Sequence, residues 1–448
     1  MALSAIAPGS AQLIAGNTQI GKIALRVWAL IVIVVGLVLW LVSLDTLAGL
    51  AVRPWLLTTF KVAAAVVAVG WIVLLLDAWR LGDPPRLVRK HRLILLGVTL
   101  ALAGLVATPF IVATRYASAA HDAVVSMFPS GEVAAASDGR LNILLLGGDA
   151  GDGRQGNRPD SIHVASLDVR TGIPVLISLP RNLEKARFPE GSAAADEFPQ
   201  GFTGEGDRSA YLLNATWTYG AANPDLFPNA ADPEAEAVKQ AVSGTLDIPI
   251  HYYVTVDLQG FQDLIDAVGG ITIDVQRDVP IAGGETISAG VQDLDGYHAL
   301  WYARSRTGSD DYDRMARQRC VLGAMLHELD PSSVLTNFMD LLDASETLVA
   351  TDIPYQQLPD LVAAAGKAKD RPVTSVQFVP PLIVPADPDF DAIADEVQAA
   401  FEKSLTHAAE PEASENPAGS NKSDGDDSGA SEEDEPASTL VGEVCSYG

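Results

Sequence analysis

The first part of the chain is written in unbroken apolar stretches. Ile23 to Leu44, Trp55 to Leu76 and Leu93 to Ala113 are nearly free of charge. Each is long enough to cross a hydrocarbon layer of about 30 Å as a helix. A secretory signal would supply one shorter run. Arg26 and Lys61 interrupt the pattern near the ends of their runs, where a long side chain can reach the interface. Arg115 to Gly139 is a mixed stretch containing Ala and Ser and reads as a stalk.

From Leu141 the pattern becomes that of a globular domain. Ile143 to Leu146, Ile162 to Val169 and Ile173 to Leu179 are short continuous apolar runs, as expected of strands in a sheet covered on both faces. Pro233 to Leu246 and Leu258 to Val268 have helical patterning, and Gly269-Gly270 closes the second. Tyr252 to Val256 and Ile271 to Val275 flank that second helix as strands, so the alternation predicts α/β layering. Further helices are expected at Asp310 to Leu329, Ser332 to Leu348, Tyr355 to Ala365 and Phe390 to Leu405, with a strand at Thr374 to Val379. From about His407 the chain is rich in Ser, Gly, Asp, Glu and Pro and cannot bury enough apolar area to fold alone. The ending Val444-Cys445-Ser446-Tyr447 departs from that composition and points to docking of the very end. The expected organisation is therefore an N-terminus over residues 1–22, a three-helix anchor over 23–113, a stalk over 114–139, a domain over 140–406 and an acidic tail over 407–448.

Charge adds direction. The connector from Asp77 to Arg92 holds Arg80, Arg86, Arg89, Lys90 and Arg92, whereas Asp45 to Pro54 holds only Arg53. The positive-inside rule places the former connector and the N-terminus in the cytoplasm, and everything after Ala113 outside. A formal net charge of −27 argues against nucleic acid as a partner held through a generally basic surface. With two cysteines, Cys320 and Cys445, the chain has neither a disulfide-dense scaffold nor a Cys-rich metal site. In an oxidising compartment, and with no other thiol to pair with, these two are expected to form a disulfide.

Three groups of residues could carry chemistry. Gly147-Gly148-Asp149 ends the first strand and Arg158-Pro159-Asp160-Ser161 starts the second, at the sheet edge where ligands of α/β folds bind. The two carboxylates could share a hard cation such as Mg²⁺, or simply cap turns beside Gly and Pro. Ser178-Leu179-Pro180-Arg181-Asn182 puts an arginine at the exit of the third strand. Tyr302-Ala303-Arg304-Ser305-Arg306 is followed by Asp313-Arg314 and Arg317-Gln318 on the next helix. If the first of these segments is extended, Arg304 and Arg306 share a face, and Arg314, Arg317 and Gln318 are helical neighbours. The planar fork of Arg suits phosphate, but a structural network with Asp310, Asp311 and Asp313 would use the same residues.

The ordered set Leu-Leu-Gly-Gly-Asp149, Arg-Pro-Asp160-Ser, Ser-Leu-Pro-Arg181-Asn, Val256-Asp-Leu-Gln-Gly-Phe261, Asp266-Ala-Val-Gly-Gly270, Leu294-Asp-Gly, Ala299-Leu-Trp-Tyr-Ala-Arg304-Ser-Arg306 and Asp313-Arg314 to Arg317-Gln318 resembles the LytR-CpsA-Psr family. The resemblance covers about Leu141 to Leu329, and the three apolar runs look like the form found in actinobacterial members. It implies a three-layer α-β-α domain with a central mixed sheet. It also implies a membrane-anchored, extracytoplasmic phosphotransferase that moves a cell-wall glycopolymer from a polyprenyl-pyrophosphate carrier to peptidoglycan with Mg²⁺. Under it, Asp149 and Asp160 match the metal-linked aspartates, while Arg181, Arg304, Arg306, Arg314, Arg317 and Gln318 match the pyrophosphate-binding set; Asp149, Asp160 and Arg181 are the catalytic candidates. This chain has Asn182 where many members have Asp, and Leu212 where many have Lys. The same residues would also suit hydrolysis of the pyrophosphate, or a non-catalytic envelope scaffold or regulator that binds the lipid-linked glycan. A lipid carrier needs a long apolar cavity, for which the apolar strand faces and the helices from Pro233 onward are candidates.

Overall fold

The computed structural model describes residues 4, 6–15, 17–41, 50, 53–81, 88–148, 158–308, 310–328, 349–368, 371–407 and 438–445. Asp149, the expected helix from Ser332 to Leu348, the acidic runs of the tail and most of the first connector lie outside the described residues. The chain divides into two units, Met1–Ser126 and Met127–Gly448.

The first unit holds a short helix α1 (Ser10–Ile14) and the long apolar helices α2 (Thr18–Leu41), α3 (Pro54–Leu81) and α4 (Arg89–Met127). The three long helices have the length and composition to cross a membrane. Apolar side chains such as Leu30, Val66 and Leu105 stand out from them, a surface suited to lipid rather than to water. Near α1, the Gln12 amide donates to the Leu74 carbonyl at 2.8 Å and to Asp77 Oδ2 at 3.2 Å, which fastens the start of the chain to one end of α3. The first part of the stretch expected as a stalk, Arg115 to Gly139, is helical, because α4 continues to Met127. The Ala-rich stretch after Ala113 favours helix, and Phe128-Pro129 stops it because a residue before proline is pushed out of the helical region.

The second unit is built on a seven-stranded mixed sheet. Its strands are β1 (Arg140–Gly148), β2 (Pro159–Asp168), β3 (Pro174–Leu179), β4 (Tyr252–Val256), β7 (Val349–Thr351), β8 (Thr374–Gln377) and β9 (Ser438–Leu440), in the spatial order β9-β8-β3-β2-β1-β4-β7. Between β3 and β4 lies helix α5 (Pro233–Leu246); after β4 come α6 (Leu258–Val268), β5 (Ile271–Val275), β6 (Gly290–Leu294), α7 (Gly296–Arg304) and α8 (Asp311–Glu328). Helices α9 (Leu358–Ala368), α10 (Phe390–His407) and α11 (Val441–Val444) come later in the unit. Strands β1, β3, β4 and β8 run the same way, because β1 and β3 are each antiparallel to β2, while β4 is parallel to β1 and β8 to β3.

Alternation along the strands creates the layers. Leu144, Ile162, Val164, Val175 and Ile177 are buried in one core with Val238, Val242 and Leu246 of α5 and Ile393 and Val397 of α10. Their neighbours in sequence, Leu145 and His163, line a cavity with α6, α7 and α8 on the opposite side. The expected α-β-α arrangement is thus the observed one. Ile271 to Val275 forms a strand, but outside the central sheet: β5 pairs with β6 in a separate antiparallel ribbon whose apolar face packs on Val321 and Ala324 of α8. The end of the chain returns to the sheet, where β9 lies antiparallel to β8 and Cys445 is disulfide-bonded to Cys320 of α8.

Candidate functional site

The carboxyl ends of β1, β3 and β4 and the start of β2 meet at one edge of the sheet. Gly147 of β1 sits opposite Ser161 of β2, and a Cβ on Gly147 would fall 2.2 Å from Ser161 Oγ, so a larger residue here would require the Ser161 hydroxyl to turn away. The pairing fixes Asp160 at the edge. Arg181 leaves β3 through Pro180 and forms a salt bridge to the Asp160 carboxylate.

Helix α8 supplies the other half. Asp311 in its first turn is the hub: Arg314 Nη2 lies 3.1 Å from its carboxylate, Arg306 Nη2 3.7 Å and Arg181 Nε 3.9 Å. Arg314 is only 3% exposed and also points Nη2 at the Asp160 carbonyl, 3.4 Å away. Burial lowers its pKa to about 10, against the pull of Asp311, so it remains a cation at neutral pH. Arg304 lies over the Trp301 ring at 5.5 Å and lines the same cavity as Asp160. Arg181, Arg306 and Arg314 thus share the carboxylates of Asp160 and Asp311, with Arg304 in the same cavity lining, a gathering of planar forks suited to phosphate oxygens.

An extended Tyr302–Arg306 segment is not what forms. Asp295 caps α7 by accepting from His298 N at 2.9 Å, and the helix runs through Arg304 before Ser305 turns out of it. Arg317 finishes that helix from outside, donating to the carbonyls of Tyr302 at 2.8 Å and of Ser305. Gln318 donates to the Ala303 carbonyl at 3.4 Å. The set expected from sequence therefore divides into Arg181, Arg304, Arg306 and Arg314, gathered at the edge with Asp160, and Arg317, turned into the fold. Gln318 stands between the two, touching α7 while lining the cavity.

The cavity opening beside these groups has a volume of about 250 Å³. Its walls are Leu145, Val254, Val256, Phe261, Leu264, Leu300, Val321, Leu322 and Met325, with Asp160, Ser161, His163, Asp257, Arg304 and Gln318 as polar members. Helices α6, α7 and α8 form it, as the expectation of helices beyond Pro233 allows, but α5 itself packs into the core on the other side of the sheet.

Two residues gain importance only with the fold. Asp311, weighed in the sequence as part of a structural network, holds three of the arginines. His163 stands in the apolar strand β2, and its interruption of that run is the signal that could have marked it. Its Nδ1 lies 2.8 Å from Ser178 Oγ, and burial pushes its pKa down to about 4, with Gln318 opposing and Arg314 and Arg319 reinforcing the shift. The imidazole is neutral at physiological pH.

Among the described residues, the carboxylates at this edge that a hard cation could draw on are those of Asp160 and Asp311. Mg²⁺ commonly takes one or two carboxylates and fills its remaining positions with water and substrate phosphate. Arg181 bonds Oδ1 of Asp160, leaving Oδ2 as the oxygen of that carboxylate not bonded by Arg181. Among the described residues no group of three His, Cys, Asp or Glu side chains forms a complete cage.

A family model described as the LytR_cpsA_psr family matches residues 110–381, more than half of the chain. A polyisoprenyl-teichoic acid–peptidoglycan teichoic acid transferase TagU of Oceanobacillus iheyensis is 28% identical over 236 residues, covering 52% of this chain and 65% of that protein. Its namesake in Enterococcus faecalis is 27% identical over 248 residues, covering 53% and 71%. The chain thus spans just under two thirds of the length of the first of these relatives. Among solved structures, a Streptococcus agalactiae protein aligns at 25% identity with a TM-score of 0.41, covering 53% of this chain and 77% of that one. TagT bound to LIIa-WTA aligns at 19% identity with a TM-score of 0.43, covering 61% and 95%. With the family model matching most of the globular unit, the chain belongs to the LytR-CpsA-Psr family.

Proposed function

We propose that this protein is a membrane-anchored phosphotransferase that attaches a cell-wall glycopolymer from a polyprenyl-pyrophosphate carrier to peptidoglycan. One observation carries the reading: a cluster of arginines stands at the mouth of an apolar cavity, with Arg304 and Asp160 belonging to both. Such a site suits a ligand with a multiply charged head and an apolar tail. The TagU relatives, named as polyisoprenyl-teichoic acid–peptidoglycan teichoic acid transferases, support the same chemistry. The three apolar helices would hold the domain beside its lipid, with the N-terminus and the Arg-rich connector inside and the domain outside, in the three-span form of actinobacterial members.

In the reaction, an acceptor hydroxyl attacks the sugar-linked phosphorus, the new P–O bond forms, and the bond to the polyprenyl phosphate breaks. Arg181, Arg306 and Arg314 are held by Asp311 before ligand arrives, and they exchange that carboxylate for phosphate oxygens when the pyrophosphate binds. Arg304 meets the head where it joins the cavity. Asp160 and Asp149 would hold Mg²⁺, which neutralises charge on the diphosphate when bound. An aspartate carboxylate at this edge also takes the proton of the attacking hydroxyl.

The test is binding by the detergent-solubilised full chain. A polyprenyl-pyrophosphate glycan should bind at least tenfold more tightly than the same sugar diphosphate without its tail, and than the polyprenol without its head. Equal affinity for the tail-less diphosphate would remove the role assigned to the cavity.

A further inference from the structure

The polar side of the apolar cavity holds a histidine that the proposed reaction does not use. His163 of β2 pairs across the sheet with Ser178 of β3, on the face that looks toward α8. Both residues are buried, at 3% and 0% exposure. The His163 Nδ1 lies 2.8 Å from Ser178 Oγ, while its buried Nε2 has no hydrogen-bond partner among the described residues. Gln318 of α8 donates through Nε2 to the Ala303 carbonyl at 3.4 Å, and its buried Oε1 is likewise without a partner among the described residues. Both side chains line the cavity, and Gln318 is close enough to His163 to oppose the downward pull that burial, Arg314 and Arg319 exert on its pKa.

The two orphan atoms are closed off from solvent, so their partner must come from inside the fold. A neutral imidazole carries one N–H and one lone pair, and the cations Arg314 and Arg319 keep this one neutral. The Ala303 carbonyl can only accept, so it holds the NH₂ end of the Gln318 amide and turns Oε1 toward the ring. A lone pair on the His163 Nε2 would then oppose that oxygen, whereas an N–H there satisfies both orphans. Nδ1 in turn accepts from the Ser178 hydroxyl, which rotates freely to donate.

We propose that His163 is a positioning residue for the diphosphate site: its Nε2–H donates to Gln318 Oε1 and fixes the amide, so that the second Nε2 hydrogen of Gln318 faces the lipid head where the cavity meets Arg304 and Asp160. The inference rests on the reading of this site as one for a polyprenyl pyrophosphate. Ser178 holds the ring, the ring holds the amide, and the amide adds a neutral donor to the arginine forks. An amide free to turn would present its oxygen to the phosphate and repel it.

The experiment is binding of polyprenyl pyrophosphate and of polyprenol by the detergent-solubilised full chain and its variants. His163→Met keeps the bulk but removes the donor; it should weaken the pyrophosphate about tenfold and leave polyprenol within about twofold. His163→Gln, which can place an N–H where Nε2 stood, should stay within about threefold of the parent for both ligands. Gln318→Leu should weaken the pyrophosphate as much as His163→Met, and the double variant should lose no more than either alone, since the two residues act as one unit. In the parent, ¹⁵N-histidine spectra, assigned through His163→Gln, should show His163 as the Nε2–H tautomer with or without ligand. Parent-like pyrophosphate binding by His163→Met, equal losses in His163→Gln and His163→Met, additive losses in the double variant, or an Nδ1–H tautomer would each overturn the proposal. A parent that does not bind polyprenyl pyrophosphate would overturn the reading of the site itself, and with it the role of His163 there.

Discussion

Arg317 donates through Nε to the carbonyl oxygen of Tyr302 at 2.8 Å and thereby closes the helix that carries Arg304. Arg317 is buried, at 7% exposure, while the Arg306 side chain stands half exposed beside Asp311. The two arginines should therefore fail differently. Arg317→Lys loses the fork that reaches the carbonyls of Tyr302 and Ser305 and should destabilise the domain by about 2–3 kcal/mol. Arg306→Lys should leave stability within about 0.5 kcal/mol and weaken capture of a lipid pyrophosphate by roughly tenfold. Thermal unfolding and lipid binding of both variants check this; equal thermal midpoints would refute the assignment of Arg317 to structure.

Much of this arrangement is legible in the residues. Pro233 to Leu246 and Leu258 to Val268 form the expected helices, since Pro opens one and Gly269, at φ 98°, closes the other. Asp160 and Arg181 come together because the strand pattern places both at one sheet edge. The separation of Arg317 from the other arginines is not legible: Arg314 and Arg317 are neighbours on one helix in sequence, and only the packing of α7 against α8 turns one to the edge and the other to a helix terminus. Nor does the pattern separate Ile271 to Val275 from the main sheet, because strand periodicity records a buried face and not the partner strand. The helical continuation past Ala113 rests on Ala-rich propensity, which a mixed stretch with Arg115 and His121 conceals.

Acid should destabilise the domain through His163. Burial lowers its pKa from 6.5 in a free chain to about 4 in the fold. Above 6.5 both folded and unfolded forms are neutral and this contribution is complete. Between 6.5 and 4 the unfolded chain takes up a proton that the folded form refuses, so stability falls as pH falls, by roughly 3 kcal/mol across the window. Unfolding midpoints measured from pH 7 to 4.5 should show this slope, and His163→Gln should flatten it. A slope identical in parent and variant would assign the effect elsewhere.

The disulfide should secure the returned end of the chain. It joins residues 125 positions apart, and in the loop-entropy account a loop of that size contributes roughly 4–5 kcal/mol. Reductant should lower the thermal midpoint of the parent and leave Cys445→Ser unchanged. Non-reduced peptide mass spectrometry should give one Cys320–Cys445 peptide, whereas two free thiols would contradict the pairing.

The most direct measurement is covalent transfer by the purified full chain, supplied with lipid-linked glycopolymer, Mg²⁺ and peptidoglycan. The parent should make the glycan–peptidoglycan adduct and release polyprenyl phosphate. Asp160→Ala should bind the lipid substrate within about threefold of the parent, because the arginines and the cavity remain, and should lose transfer by at least a hundredfold together with its dependence on Mg²⁺. Undiminished adduct formation by Asp160→Ala, or release of the glycan by the parent to water alone without an adduct, would contradict the account.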